Sequence, residues 1–271
     1  MIVEFVGLPG VGKSYLCRSL EDVYAARVGT PVRVLVERDT AGLGALRRQL
    51  EKLWRAARFA AAHPGTTGRL ARAVGPVGRM IHRGRLSKLV NLLAEVHRSS
   101  RGSRSTTWIS EQGVLQAVWS LEMRCDDSVH TALIETLAPW LPDRVVFVAS
   151  ERPEHESRLR GRERGRSHFD RLAVDRLPEA IERGSRHARE ILETWTRHVP
   201  RADRLDFRND GPVRVDDIVD WVDGRRGGTT TSDSRKNETI LAGASTAARS
   251  HGTTARAGGA DAGSPARATR R

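Results

Sequence analysis

Residues Gly7 to Ser14 read Gly-Leu-Pro-Gly-Val-Gly-Lys-Ser and follow directly on Ile2, Val3, Phe5 and Val6, an apolar run interrupted only by Glu4. Leu16 and Leu20 then stand four apart, the spacing of one helical face. A glycine-rich turn between a strand and a helix restricts the fold sharply. Three glycines in six residues let the backbone curl so that successive N–H groups face inward, where a Cβ would be costly. The helix that follows adds the positive end of its dipole, so the turn is shaped for an anion such as the phosphates of ATP or GTP. A chain that begins this way commits its first strand to a buried position with a helix returning over it.

The rest of the chain repeats that alternation. Residues 31–37, 106–110, 145–149 and 205–207 read as further strands, the run Val145-Val146-Phe147-Val148-Ala149 most strongly. Between them lie helical stretches. Leu43, Leu46, Leu50, Leu53, Trp54 and Ala57 recur at three- and four-residue spacings and define an amphipathic helix from about 42 to 62, which His63-Pro64-Gly65 ends. Met80, Ile81, Leu86, Leu89, Val90, Leu93 and Val96 mark another, weakened by Gly84. Helices are expected over 114–121, 128–137 and 172–197, the last with Leu177, Ile181, Ala188, Ile191, Leu192 and Trp195 inward. Ile218, Val219 and Val222 cluster on a final helix. Apolar strands alternating with helices give an α/β fold: a three-layer sandwich around a largely parallel sheet.

Large apolar residues thin out after Val222, and residues 225–271 carry only Ile240 and Leu241 among Gly, Ala, Ser, Thr and Arg. Such a segment cannot recover the entropy of ordering its backbone. One folded domain is expected over 1–224 and a basic, disordered tail over 225–271. Nine Lys or Arg against three acids put +6 of the formal +13 in that tail. Much of the remaining charge sits between Arg152 and Arg171, which suits a phosphate-handling loop at least as well as a nucleic-acid face. Aromatic residues are 5% of the chain and do not interleave with basic ones as a base-stacking platform requires, which confines nucleic-acid binding to a weak property of the tail. Cys17 and Cys125 have no metal-ligand spacing, and no apolar run approaches the length that spans a membrane. The start of the chain lacks the basic region and cleavage site of a signal peptide, so the cytoplasm is the expected location and no membrane partner is expected.

Gly7, Gly12, Lys13 and Ser14 fit the pattern GxxxxGK[ST], with the strand before and helix after that the pattern needs. Gly7, Gly10, Val11, Gly12, Lys13, Ser14 and Tyr15 are the candidate nucleotide contacts, with Lys13 reaching the β- and γ-phosphates and the Ser14 hydroxyl ligating Mg²⁺. No Asn-Lys-x-Asp guanine-reading segment and no ATP-binding-cassette signature occur. Residues 1–223 resemble the P-loop kinases of small molecules, the nucleoside/nucleotide-kinase-like group that includes thymidylate kinase. The loop Gly7–Ser14 carries the specific part of that likeness. The resemblance implies an acidic residue after the third strand, matched by Glu111 in Trp108-Ile109-Ser110-Glu111-Gln112-Gly113. Glu111 would organise Mg²⁺ or accept the proton of the attacking hydroxyl. A carboxylate favoured by a helix start would occupy the same place. The resemblance likewise sets Glu37, followed by Arg38 and Asp39, where deoxynucleoside kinases hold a base, and the sequence does not rank Glu37 against Glu111.

The stretch Arg158 to Arg166 resembles the basic lid of this group, within a lid region 152–171. Arg158, Arg162 and Arg166 recur every four residues and would face the nucleotide, with Gly161 and Gly165 allowing the loop to fold over. Residues 62–105 depart from a minimal kinase of this group by a basic helical insertion, which the resemblance would set beside the acceptor and which a solvated helix face would explain equally well. The chain lacks an Asp-Arg-Tyr or Asp-Arg-His triplet after the third strand, a departure that weakens the case for thymidylate itself. The implied activity is Mg²⁺-dependent transfer of the ATP γ-phosphoryl group to a hydroxyl or phosphate of a small molecule (a nucleoside, nucleotide, sugar or related metabolite). The alternative is a nucleotide-dependent regulatory or assembly ATPase acting with a macromolecular partner. A homodimer is left open by the sequence.

Overall fold

A computed structural model describes residues 1–28, 32–35, 43–75, 84–100, 106–125, 127–161, 169, 172–210 and 215–224. Glu37, Arg38, Asp39, Arg162, Arg166 and the tail 225–271 lie outside the described residues.

Five short strands form one sheet: β1 (Ile2–Val6), β2 (Val32–Leu35), β3 (Thr107–Ser110), β4 (Arg144–Ala149) and β5 (Asp203–Arg208). Their order is β2-β3-β1-β4-β5, and all four pairings are parallel. Parallel strands need crossovers, and helices supply each one. These are α1 (Lys13–Val28), α2 (Leu43–Ala62), α3 (Pro64–Val74), α4 (Arg85–Ser100), α5 (Val114–Glu122), α6 (His130–Leu137), α7 (Arg152–Arg160) and α8 (Leu177–His198), and α9 (Val215–Val222) follows the last strand. The result is the expected fold class, a three-layer P-loop NTPase-like sandwich with a parallel central sheet.

The strand order fixes where a ligand can sit. From β1 the chain leaves toward the β2 edge, whereas from β3 it crosses to β4. Neighbouring strands whose connections depart in opposite directions leave a crevice at their carboxyl ends. Gly7 follows β1 and Glu111 follows β3, so both belong to that crevice.

β1 is central, and Val3, Phe5 and Val6 are fully buried. Leu16, Cys17 and Leu20 of α1 are buried with them. In α8 all six residues expected to point inward do so, and the Trp195 indole donates to the Pro142 carbonyl at 3.1 Å. Ile218, Val219 and Val222 of α9 are likewise buried.

α2 ends at Ala62, where His63-Pro64-Gly65 is expected to end it, and a further helix, α3, opens at once at Pro64. Proline at the first helical position costs nothing, because its missing N–H would be unpaired there in any case. Phe59, His63 and Trp140 pack their rings together over the break, with centroids 4.8 to 5.3 Å apart. An apolar stripe ordinarily faces a core, but Leu46, Leu50, Leu53 and Trp54 of α2 are exposed. Among the described side chains of α2, Ala56 and Phe59 are the buried ones, and they mark the side turned to the domain.

Candidate functional site

The loop between β1 and α1 has its shape fixed from several directions. Gly10 and Gly12 have φ of 92° and 96°, a region that favours glycine. A Cβ on Gly12 would lie 2.3 Å from Asn209 Nδ2, and one on Gly10 would lie 2.9 Å from the Leu159 side chain. The loop's carbonyls are tied down one by one. Lys13 Nζ donates to the Gly7 and Leu8 carbonyls at 2.6 and 2.9 Å. His155 Nε2 donates to the Pro9 carbonyl at 2.7 Å, and Asn209 Nδ2 donates to the Val11 carbonyl at 2.7 Å. In a planar trans peptide the N–H points opposite to the carbonyl it shares. Holding the Pro9 and Val11 carbonyls outward therefore turns the N–H groups of Gly10 and Gly12 the other way.

The props come from far along the chain. His155 and Leu159 are the buried residues of α7, so the first part of the region read as a lid is a helix packed on the loop. Burial holds the His155 imidazole below its usual range, opposed by the Pro9 hydrogen bond and reinforced by repulsion from Lys13 and Arg158. A neutral ring with its proton on Nε2 is the form that donates to a carbonyl. Asn209 follows β5 and is anchored in turn by its own N–H to the Ala149 carbonyl at 2.9 Å.

Across the crevice, the Ser14 hydroxyl donates to the Glu111 carboxylate. Glu111 is buried, and its second carboxylate oxygen has no hydrogen-bond partner. A buried anionic oxygen without a donor is costly unless a cation or water meets it. The segment holding Glu111 is braced from below. Arg98 donates to the Gln112 carbonyl at 2.7 Å and is ion-paired with Glu95.

Glu4 completes the brace. It is 1% exposed, and its two carboxylate oxygens accept from the Leu115 and Gln116 amides at 3.1 and 2.7 Å, at the start of α5. Gln116 Oε1 in turn accepts the Gly7 N–H at 3.1 Å. Gly113 leaves room for Glu4, whose carboxyl lies 2.4 Å from where a Cβ on Gly113 would stand. A carboxylate on β1 thus caps α5, and α5 holds the first residue of the loop. Glu4 also lines a small pocket with Trp108, Ser110 and Arg98, apart from the loop.

Burial pushes the Glu4 carboxyl from 4.5 up to about 7, against the pull of the two amides. The folded chain then binds more protons than the unfolded chain between those values, so stability falls as pH rises across that window. At 1.36 kcal/mol per unit the Glu4 contribution amounts to about 3 kcal/mol, present below pH 4.5 and gone above pH 7. Urea unfolding of the wild type and Glu4→Gln at pH 5 and pH 8 checks this. The difference between the two proteins is expected to change by about that amount, and equal pH dependence would refute the assignment.

The remaining sequence candidates are placed as follows. Arg158 lies near the loop, its guanidinium 4.0 Å from the Cβ position of Gly12, and it is paired with Glu154 at 3.0 Å. Tyr15 is exposed at 61%. Arg152 and Arg160 both pair with Glu156 on the outer side of α7. His155, Asn209, Glu4 and Gln116 were not among the sequence candidates. Asn209 had a signal, since it follows a strand on the ligand-facing side of the sheet. Glu4 had one too, as the single charge in an otherwise apolar central strand.

No protein-family model matches the sequence, and no curated protein matches it. Among solved structures, the chain is similar to thymidylate kinase from Candida albicans at 12% identity, covering 83% of this chain and 89% of that one with a TM-score of 0.46. It is similar to deoxyadenosine kinase from M. mycoides at 13% identity, covering 84% and 100% with a TM-score of 0.43. Shikimate kinase from Bacteroides thetaiotaomicron gives 14% identity, coverage of 83% and 97%, and a TM-score of 0.38. Likeness at this level concerns chain path alone, and the assignments that follow rest on the residues. Among the described residues, no helix is long and apolar enough to cross a membrane.

Proposed function

We propose that this chain is a P-loop phosphotransferase that moves the γ-phosphoryl group of ATP to a hydroxyl or phosphate of a small molecule. The observation that carries the reading is the meeting of Ser14 and Glu111 in the crevice, one bringing a hydroxyl and the other a carboxylate with an unpartnered buried oxygen. Among the described residues no cluster of three or more His, Cys, Asp or Glu could hold a metal. Mg²⁺ does not need one: it keeps several waters and takes one or two protein oxygens together with substrate phosphates. The Ser14 hydroxyl and Glu111 carboxylate fit that requirement. When bound, Mg²⁺ neutralises charge on the phosphate oxygens.

The chain's own groups do the rest of the work. The inward N–H groups of Gly10 and Gly12, with the start of α1, bind and orient the donor's phosphates. Lys13, held at the Gly7 and Leu8 carbonyls, brings a positive charge to the β- and γ-phosphates. Arg158, whose guanidinium lies 4.0 Å from the Cβ position of Gly12, adds positive charge where negative charge develops in transfer. Arg162 and Arg166, four and eight residues further along the sequence, would add more positive charge. Glu111 serves the metal, and the proton of the acceptor hydroxyl passes to Glu37. Glu37 follows the last residue of β2 by two positions in the sequence.

Incubating the chain with γ-labelled ATP and Mg²⁺ against pooled nucleosides, nucleotides, sugars and aminoglycosides tests the proposal. Label is expected in the products of one pool. Free phosphate that no pool changes, but that a macromolecular partner accelerates, would replace the kinase with an assembly ATPase.

A further inference from the structure

The apolar stripe of α2 points out of the domain. Leu46, Leu50, Leu53 and Trp54 are between 52% and 62% exposed, and Ala57 and Ala61 are exposed beside them. At 3.6 residues per turn these six fall within an arc of about 100°. The four large side chains present roughly 500 Å² of apolar surface, near the upper end for an ordinary monomer. That is well over half of the ~800 Å² each partner contributes to a standard interface.

We propose that this face is where a second copy of the chain docks, α2 against α2 in antiparallel fashion about a two-fold axis. Two features of α2 make it complementary to itself. Its stripe is bulky in the first half (Leu46, Leu50, Leu53, Trp54) and small in the second (Ala57, Ala61). An antiparallel pair sets bulk against small on both sides of the axis, the arrangement a closed isologous contact needs. The charges beside the stripe fit the same register. Glu51 and Arg58 are two turns apart, both exposed, and on the same flank of the helix. Antiparallel helices bring like flank against like flank. With the axis beside Trp54 and Arg55, Glu51 of each copy meets Arg58 of the partner subunit, twice over. Within one chain Glu51 pairs with Arg55 and Arg58 lies over the Trp54 ring at 5.7 Å, so neither contact has to be created from a buried charge.

The contact is separate from the phosphotransfer site, and its test does not read catalysis. The full chain is weighed by sedimentation equilibrium over a micromolar range, where twice the 30.0 kDa chain mass is expected. The double variant Leu50→Glu with Leu53→Glu is expected to sediment as one chain with an unchanged circular dichroism spectrum, since both side chains are exposed. Glu51→Arg alone and Arg58→Glu alone are each expected to raise the dissociation constant about tenfold, and the two together to restore it to within a few-fold. Rescue is diagnostic because residues seven apart cannot pair within one helix. A wild type of single-chain mass would overturn the proposal. So would a mass unmoved by the leucine variants, or a charge swap that fails to rescue. Sedimentation of a single-chain wild type with anionic phosphatidylglycerol vesicles, lost in the leucine variants, would assign the face to a lipid surface instead.

Discussion

Replacing Lys13 with alanine is expected to lower kcat/KM for label transfer by about three orders of magnitude while leaving the fold intact. The argument starts from where the ammonium sits. Lys13 is 9% exposed and donates to the Gly7 and Leu8 carbonyls, so a fixed cation is already held at the mouth of the loop. Transfer places growing negative charge on the equatorial oxygens of the moving group, and a preorganised positive charge acts there without reorganisation. Removing it loses an interaction that strengthens in the transition state, which lowers kcat more than it raises KM. Lys13→Arg is expected to fail nearly as badly, because a planar guanidinium does not fit a site this enclosed. Thermal melting separates chemistry from folding. Saturating ATP should raise the wild-type Tm by mass action and move the alanine variant much less. A variant that retained transfer within a few-fold would remove Lys13 from the reaction.

The loop is legible from sequence because everything that specifies it is local: Gly10, Gly12, Lys13 and Ser14 stand within five residues of one another. The sheet is legible for a similar reason, since parallel strands buried on both faces read as short apolar runs such as Val145 to Ala149. What holds the loop in place is not local. His155, Asn209 and Gln116 reach it across 146, 198 and 109 residues of chain, and each acts through one backbone group. No periodicity encodes such a contact. α2 shows the other limit. Periodicity established that Leu46, Leu50, Leu53 and Trp54 share a face but not which way the face points. A helix pattern fixes a relative orientation, and the remaining rotation is set by packing partners. Here Phe59 and Ala56, fewer and less conspicuous, are the residues turned to the domain.

The same reasoning bears on the rigidity of the site. A loop whose carbonyls are held from α7 and from the end of β5 cannot shift without moving elements that are themselves packed. Preorganisation of this kind places its cost in folding and leaves little to be reorganised during reaction. It also explains why α7 carries a buried histidine, His155, in a chain segment otherwise rich in exposed charge.

Glu111→Gln is expected to reduce transfer about a hundredfold and to raise the Mg²⁺ concentration needed for half-maximal rate. The substitution is nearly isosteric, so the Ser14 hydroxyl can still donate to the remaining carbonyl oxygen and the crevice keeps its shape. The other oxygen changes character. In the wild type it is buried without a hydrogen-bond partner and carries negative charge, whereas the amide presents N–H donors that repel a cation or its waters. Glu111→Asp keeps the charge and shortens the reach, and an intermediate defect relieved by added Mg²⁺ is expected. Titrating Mg²⁺ against label transfer for all three proteins distinguishes a metal role from a merely structural one. Following the Mg²⁺-dependent part of the ATP-induced Tm shift gives a second readout that does not depend on turnover. A metal role requires that the Gln variant lose both together. If it kept the wild-type Mg²⁺ dependence and lost only rate, Glu111 would instead be the group that takes the acceptor's proton, and Glu37 would be released from that assignment.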